Sequence, residues 1–426
     1  MVVAPINGGC ESALRGLLDT MNSAPGVVDP LNAVLPFGRF ERLHFARLVV
    51  LDDATMADLE EYRLSRPSVP TYLAFLGDCD GPARDFLADL SNRAGDGLRR
   101  IFAHCEGFYY AGSDVLSWML THDLPVAANY VNWVGRTVVQ IRQESALQRA
   151  LSSKVPRDAI ASGSDAQRVR RELIAFVHTE QRAGRLALTA PEPTPLNWWI
   201  ANLLHAIVVP LGGLVALPLL IVLLPLLIYL LRTRELNDPE FCPRPRTEAL
   251  QEMRQLEDRD VTNQFTALGP FKPGLFRRWL ETVLLVLTDY ACRHVFTRGH
   301  LARVQTIHFA RWVFLDNKNR VVFASSYDGG HEAYMDDFIN KVAWGLNLTF
   351  SSGFGWPRTD WLIMRGARRE QRFKYYQRRH QVPSQVWYNA YRGLTLTDLA
   401  RNQRIREGLE RVQMSDAQAL AWLRLL

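Results

Sequence analysis

The chain has 426 residues, a formal net charge of +6 at pH 7, 48% hydrophobic and 22% charged residues, and five cysteines. That length leaves room for two domains and a membrane element. The cysteines (Cys10, Cys79, Cys105, Cys242, Cys292) are odd in number and scattered, which excludes a disulfide framework and zinc-ligand spacing and suits a reducing compartment. No basic region followed by an apolar core opens the chain, so no secretory signal is visible and a bacterial cytoplasmic location is the expectation.

Residues 1–38 read as an N-terminal segment and 39–152 as a first α+β repeat. The repeat is recognised because His44-Phe-Ala-Arg47-Leu-Val-Val-Leu-Asp52 returns as His308-Phe-Ala-Arg311-Trp-Val-Phe-Leu-Asp316, identical at seven of nine positions. Each stretch is a strand. A second apolar strand follows in both copies and ends in Asp-Gly, at Asp80-Gly81 and Asp328-Gly329, which signals a turn. Phe86, Leu87, Leu90, Leu98 and Phe102 then recur at helical spacing opposite Tyr334, Met335, Phe338, Leu346 and Phe350, predicting core-facing helices over 83–103 and 331–350. Tyr130, Gly135 and Thr137 answer Tyr388, Gly393 and Thr395, so each copy closes with a strand, a turn and an amphipathic helix. The first copy carries a long insertion over roughly 53–70, and the second an extra strand, Trp361–Met364.

Residues 153–195 read as a charged, proline-containing linker and 196–232 as a membrane element. Trp198–Leu231 is 34 residues without one charge. One perpendicular span needs about 20 residues and two need roughly 40. Pro210, Gly212, Gly213, Pro218 and Pro225 would kink or break a straight helix, so a shallow hairpin turning near 210–213 is expected. Arg182 and Arg185 precede it and Arg232 and Arg234 follow it, which favours the cytoplasmic face for both ends. Residues 233–270 read as a polar linker, 271–298 as an interfacial amphipathic helix and 299–426 as the second repeat. The expected fold is therefore α+β: two tandem ferredoxin-like repeats in an internal pseudo-dimer, with an intervening membrane-embedded helical hairpin.

Candidate chemistry gathers in the second copy. His308 and Arg311 recur as His44 and Arg47, together with Asp328 and Asp80; residues kept in both copies are explained by a buried His paired with a strand-end Asp. His331 and Glu332, opening a helix beside Asp328, have no counterpart in the first copy. His104-Cys105-Glu106 is the first copy's own departure. Either His331 or His104 would serve as an axial ligand, a general base or a surface cap. The site expected is His308, Arg311, Asp328 and His331, with Tyr388 nearby on the closing strand, which in a ferredoxin-like sheet can run beside the first. The basic stretch Arg365–Arg379, with Phe373, Tyr375 and Tyr376, suits anionic lipid better than nucleic acid, given the membrane element. Nucleotide-binding glycine loops, a His-Glu-x-x-His pair and a Gly-x-Ser-x-Gly elbow are absent.

The stretch from Ile307-His-Phe-Ala-Arg-Trp through Ser326-Tyr-Asp-Gly to Tyr334-Met-Asp-Asp-Phe-Ile339, with Gly355-Trp-Pro-Arg-Thr359, resembles a bacterial family of membrane-associated proteins. At fold level the duplicated unit resembles the dimeric α/β-barrel superfamily, which includes dye-decolorising peroxidases and chlorite dismutase. Gly77-Asp-Cys-Asp80-Gly81 matches the Gly-x-x-Asp-Gly pattern of those peroxidases but lacks their continuation toward Asn-Pro, and Ser325 stands in the second copy where the first Gly would be. The resemblance implies a membrane-associated, peroxidase-like oxidoreductase, haem-dependent or without cofactor, acting on a lipophilic small molecule. The alternative is a non-catalytic lipid-binding or scaffold protein at the cytoplasmic membrane surface, with membrane lipids as partners and no nucleic acid.

Overall fold

The computed structural model describes every residue except 156–164, 239 and 298; 156–164 of the expected linker and the last residue of the expected interfacial helix thus lie outside the described residues. The architecture is mixed α and β with antiparallel sheets, and the chain divides into two units, Met1–Val134 with Thr194–Asn389, and Gly135–Pro193 with Ala390–Leu426.

In the larger unit the chain begins with β1 (Val2–Pro5), α1 (Glu11–Asp19) and the small pair β2 (Asn22–Ala24) and β3 (Val27–Val28). It continues through β4 (Leu43–Leu51), β5 (Tyr72–Cys79), α2 (Ala83–Phe102), α3 (Val115–Thr121) and β6 (Ala128–Val131). The smaller unit takes α4 (Val138–Ser152) and α5 (Ala166–Arg182). After α6 (Leu196–Asn237) and α7 (Thr247–Leu256) the larger unit resumes with β7 (Thr262–Pro270), α8 (Leu275–His294), β8 (Ile307–Leu315), β9 (Arg320–Asp328) and α9 (His331–Phe350). The hairpin β10 (Thr359–Asp360) and β11 (Met364–Arg365), α10 (Glu370–His380) and β12 (Val386–Asn389) complete it. Helices α11 (Leu396–Glu410) and α12 (Asp416–Leu423) return to the smaller unit, where Leu147, Leu151, Leu173, Ile405 and Trp422 share one apolar core.

The strands and helices expected in both copies are present, and α2 and α9 even share a kink, at Ala94 and Val342, eleven residues into each. The closing strands, however, are exchanged. One sheet runs β1-β5-β4-β12 and the other β6-β8-β9-β7. Tyr388 on β12 sits opposite Ala46 of the first copy, and Tyr130 on β6 opposite Ala310 of the second. The expectation that Tyr388 lies beside its own copy's first strand is therefore corrected.

Two supposed non-repeat segments supply strands. Val2–Pro5 and Thr262–Pro270 occupy matching edges of the two sheets, so neither 1–38 nor 233–270 is a mere segment or linker. Strand β7 escaped notice because its polar residues are buried and matched: Gln264 accepts from Ser384 at 2.8 Å and Thr262 donates to Asp328 at 2.9 Å. The expected strand Trp361–Met364 is instead the turn 361–363 of the β10–β11 hairpin, with Met364 opening β11. Between the sheets Val49, Leu51, Leu76, Leu268, Leu315 and Val322 form an apolar core. A second core lies on the other face of the β6-β8-β9-β7 sheet, against α8 and α9.

The membrane element is one unbroken helix, not a hairpin. A turn near Pro210–Gly213 would strand several backbone amides in an apolar medium. Each proline instead forfeits one hydrogen bond and bends the helix. Helix α6 is long and apolar enough to cross a membrane.

The repeat is not symmetric in its packing, which yields a test. A Cβ on Gly97 of α2 would meet the Val34 carbonyl, whereas one on the matching Gly345 of α9 meets nothing within 4 Å. Gly97→Ala is expected to destabilise the fold by about 1–3 kcal/mol or more through overpacking. Gly345→Ala is expected to stabilise it by up to ~1 kcal/mol through helix propensity. Thermal denaturation of both variants checks the pair.

Candidate functional site

The His-Phe-Ala-Arg repeat builds a reciprocal contact between the two sheets. Strict alternation would put His and Phe on opposite faces, but the register slips between Leu43 and Phe45 and again between Ile307 and Phe309. Such a bulge re-aims the residue it carries. His308 packs on Phe45 with ring centres 5.3 Å apart, His44 on Phe309 at 5.5 Å, and the two phenyl rings meet at 5.7 Å. Each histidine is tied to the aspartate ending the neighbouring strand: His44 Nε2 to Asp80 at 2.9 Å and His308 Nε2 to Asp328 at 2.7 Å. These are buried paired histidines, as their recurrence in both copies suggested.

The arginines reach across to the opposite sheet. Arg47 donates to the Phe265 and Ser325 carbonyls and to the hydroxyls of Thr266 and Ser326, at 2.9–3.0 Å. Arg311 donates to the matching positions of the first copy, the Gly77 carbonyl and the Asp78 carboxylate. Burial pulls Arg47 down to about 9, with the Arg311 charge adding to the effect, and pulls Arg311 down to about 10. Asp78 thus gives Arg311 a buried counter-ion, while Arg47 has only neutral acceptors there. Losing either guanidinium would leave buried acceptors unpaired, which is costly.

His331 opens α9, three residues beyond Asp328. It is 1% exposed, packs 5.6 Å from Phe265, and has neither ring nitrogen hydrogen-bonded. Its Nδ1 lies 4.0 Å from the Glu257 carboxylate, which Arg378 holds at 2.7 and 2.8 Å. Burial, aided by the charges of Arg378 and Lys374, drives its pKa down to about 3. The reading of His331 as a surface cap is corrected: the first turn of α9 is capped by Asp258, which accepts from the His331 amide at 3.1 Å. His104 ends α2 and turns its Nδ1 onto the Arg100 and Ile101 carbonyls. Tyr388 packs on Phe37, and its neighbour Trp387 stacks on Phe45.

Of the expected site, the structure brings His308 and Asp328 into contact, sets Arg311 against Asp78 of the opposite sheet, buries His331 against Phe265 and places Tyr388 on the strand beside β4. His331 is buried against Phe265 and His104 turns its Nδ1 onto backbone carbonyls, an arrangement that offers a haem no exposed axial ligand from His331. Among the described residues no group of His, Cys, Asp and Glu is arranged to hold a metal ion. A surface depression of about 600 Å³ lies beside the α2 kink, lined in part by Arg39, Arg93, Asp96 and Asp114, and contains none of the expected residues.

The basic stretch is largely neutralised. Arg369 and Arg372 pair with Glu240, Arg378 with Glu257 and Glu332, and Arg379 with Asp58. Sequence reasoning missed those acids, which come from distant segments. It also missed a buried polar group where α6 ends and α8 begins. Lys272 donates to the Ser351 carbonyl at 3.0 Å and lies 3.5 Å from Asp238, which also accepts from Arg277. Burial lowers Lys272 to about 8 and raises Glu281 well above the usual carboxylate range. The Ser352 hydroxyl lies close enough to favour ionised Glu281 without forming a good hydrogen bond. The visible signal was Glu281, one turn after Arg277 and just before the apolar run Val283–Leu287.

Comparisons with protein-family models, with curated proteins and with solved structures found no match to this chain.

The state of His331 gives a pH prediction. Its folded pKa lies below the ordinary value of about 6.5, so the unfolded chain binds the proton first. Its penalty is absent above pH 6.5 and grows as pH falls toward 3, reaching about 2 kcal/mol at pH 5. His331→Phe is expected to keep its melting temperature better between pH 6.5 and 4.5 than the unsubstituted protein. Parallel acid-induced melting shifts in the two proteins would contradict this.

Proposed function

We propose that the protein is a monotopic membrane protein, a non-catalytic lipid-binding or scaffold module on the cytoplasmic face of a bacterial membrane. In this reading the two repeats are ferredoxin-like halves of an internal pseudo-dimer. About 20 large apolar side chains of α6 are exposed. At even ~1 kcal/mol each, their transfer from water favours a lipid environment by tens of kcal/mol.

The observation that carries the monotopic reading is that both ends of α6 are fastened to α8. Near its start, His205 Nδ1 meets His294 Nε2 at 2.9 Å. Just beyond its end, Asp238 binds Arg277. Helix α8 has an apolar outer stripe, Leu275, Trp279, Val283, Val286 and Leu287, and an inner face buried at Glu281, Leu285, Asp289 and Cys292. That inner face is built into the sheet core, and Asp289 accepts from the Asn129 amide of β6 at 3.0 Å. A perpendicular α6 would draw this sheet to bilayer depth together with its buried charges. Lying along the surface, α6 immerses only its own side chains and the α8 stripe. The cytoplasmic assignment rests on Arg182, Arg185, Arg232 and Arg234 flanking the apolar run. Haem-dependent peroxidase chemistry on a lipophilic substrate has weaker support, because His331 is buried and His104 turns its Nδ1 onto backbone carbonyls.

Cysteines introduced at residues 190 and 240 are expected to react with a membrane-impermeant thiol reagent from the same, cytoplasmic side. Labelling from opposite sides would sink the monotopic reading. A Soret band in the purified protein would sink its non-catalytic part.

A further inference from the structure

The β10–β11 hairpin is a feature that membrane docking by α6 does not require. The hairpin exposes Trp361 at 51%, Ile363 at 42% and Met364 at 53%. Three of its non-glycine residues hold positive φ angles, Trp361 at 54°, Leu362 at 63° and Arg365 at 56°. Such backbone is costly and persists only where its surroundings impose it. Here the imposing group is Glu235 in the last turns of α6. Its buried carboxylate accepts from the Thr359 hydroxyl at 2.9 Å, the Trp361 amide at 3.0 Å and the Leu362 amide at 2.8 Å, and pairs with Arg232. A buried carboxylate locked into a turn in order to display three apolar side chains outward makes no sense for a water-facing loop.

We propose that this hairpin is a wedge that inserts into the headgroup layer of an anionic bilayer, held at fixed depth by Glu235. The proposal rests on the membrane reading above. Continuity and charge both favour a lipid surface as the occupant. The hairpin is fastened to the end of α6, directly after the exposed Leu226, Ile228 and Tyr229. Cations rim it: Arg232 lies over the Trp361 ring at 4.7 Å, and Arg365 and Arg368 are exposed. Asp360 pairs with Arg232 and Arg365, which leaves Arg368 uncompensated by it. An aromatic ring with cations beside it suits the boundary between acyl chains and anionic headgroups.

The test places an environment-sensitive fluorophore on Met364→Cys in the full chain, with identically treated unsubstituted protein as the blank for native cysteines. Vesicles contain equal parts phosphatidylcholine and phosphatidylglycerol, with and without lipids bearing a nitroxide near the headgroup. The expected result is a blue-shifted emission quenched by those lipids. Adding Glu235→Ala should remove at least half of the quenching while the protein still floats with the vesicles. Water-like, unquenched emission from a protein that co-floats would overturn the wedge and leave the membrane reading standing. Quenching unaffected by Glu235→Ala would overturn the role of Glu235. Failure to co-float would overturn the membrane reading, and the wedge with it.

Discussion

The exchange of closing strands is the constraint from which the rest follows. Strand β6 precedes α6 in the chain and completes the sheet of the copy that comes after it, while β12 completes the sheet of the copy before. Neither three-stranded remainder has its full set of partners without the other copy, and the outer edges of β4 and β8 would otherwise face no ladder. Both copies must therefore fold as one body, and the apolar helix between them must leave that body and return to it. The His205–His294 and Asp238–Arg277 contacts mark where it does so.

The same exchange explains why polar residues recur inside the body. Two sheets facing each other through a duplicated sequence place like against like, so the arginines of one copy find backbone and hydroxyl acceptors of the other. The bulge at each His-Phe pair lets a histidine reach its strand-end aspartate while its phenylalanine neighbour meets the opposite sheet. The copies have since diverged at one chemically telling place. Asp78 stands where the second copy has Ser326, so only Arg311 receives a carboxylate there.

Much of this was legible in the sequence because it is periodic or repeated. The first two strands of each copy, both long core helices and the pairing of His with Asp followed from the repeat and from helical spacing. What escaped lacked a local signal. Strand β7 looked polar because its Thr, Asn and Gln side chains are matched by residues far along the chain, such as Ser384. His331, read from the sequence as a site residue with a surface cap as the alternative, is no cap: Asp258, from a segment outside the repeat, does the capping and the ring is buried. The prolines and glycines of α6 suggested a turn, yet in an apolar medium an unbroken, bent helix leaves fewer amides unpaired than a loop would.

In the reading proposed above, a body built on exchanged strands, with a helix that leaves and re-enters it, holds that helix along the bilayer surface. The most direct measurement is a depth profile from single nitroxide labels at successive positions between residues 200 and 230 in lipid vesicles. The account predicts shallow depths throughout, oscillating with the helical period as side chains turn toward and away from the acyl chains. A depth that rises steadily to the bilayer centre and falls again across about 20 residues, the signature of a span, would contradict it.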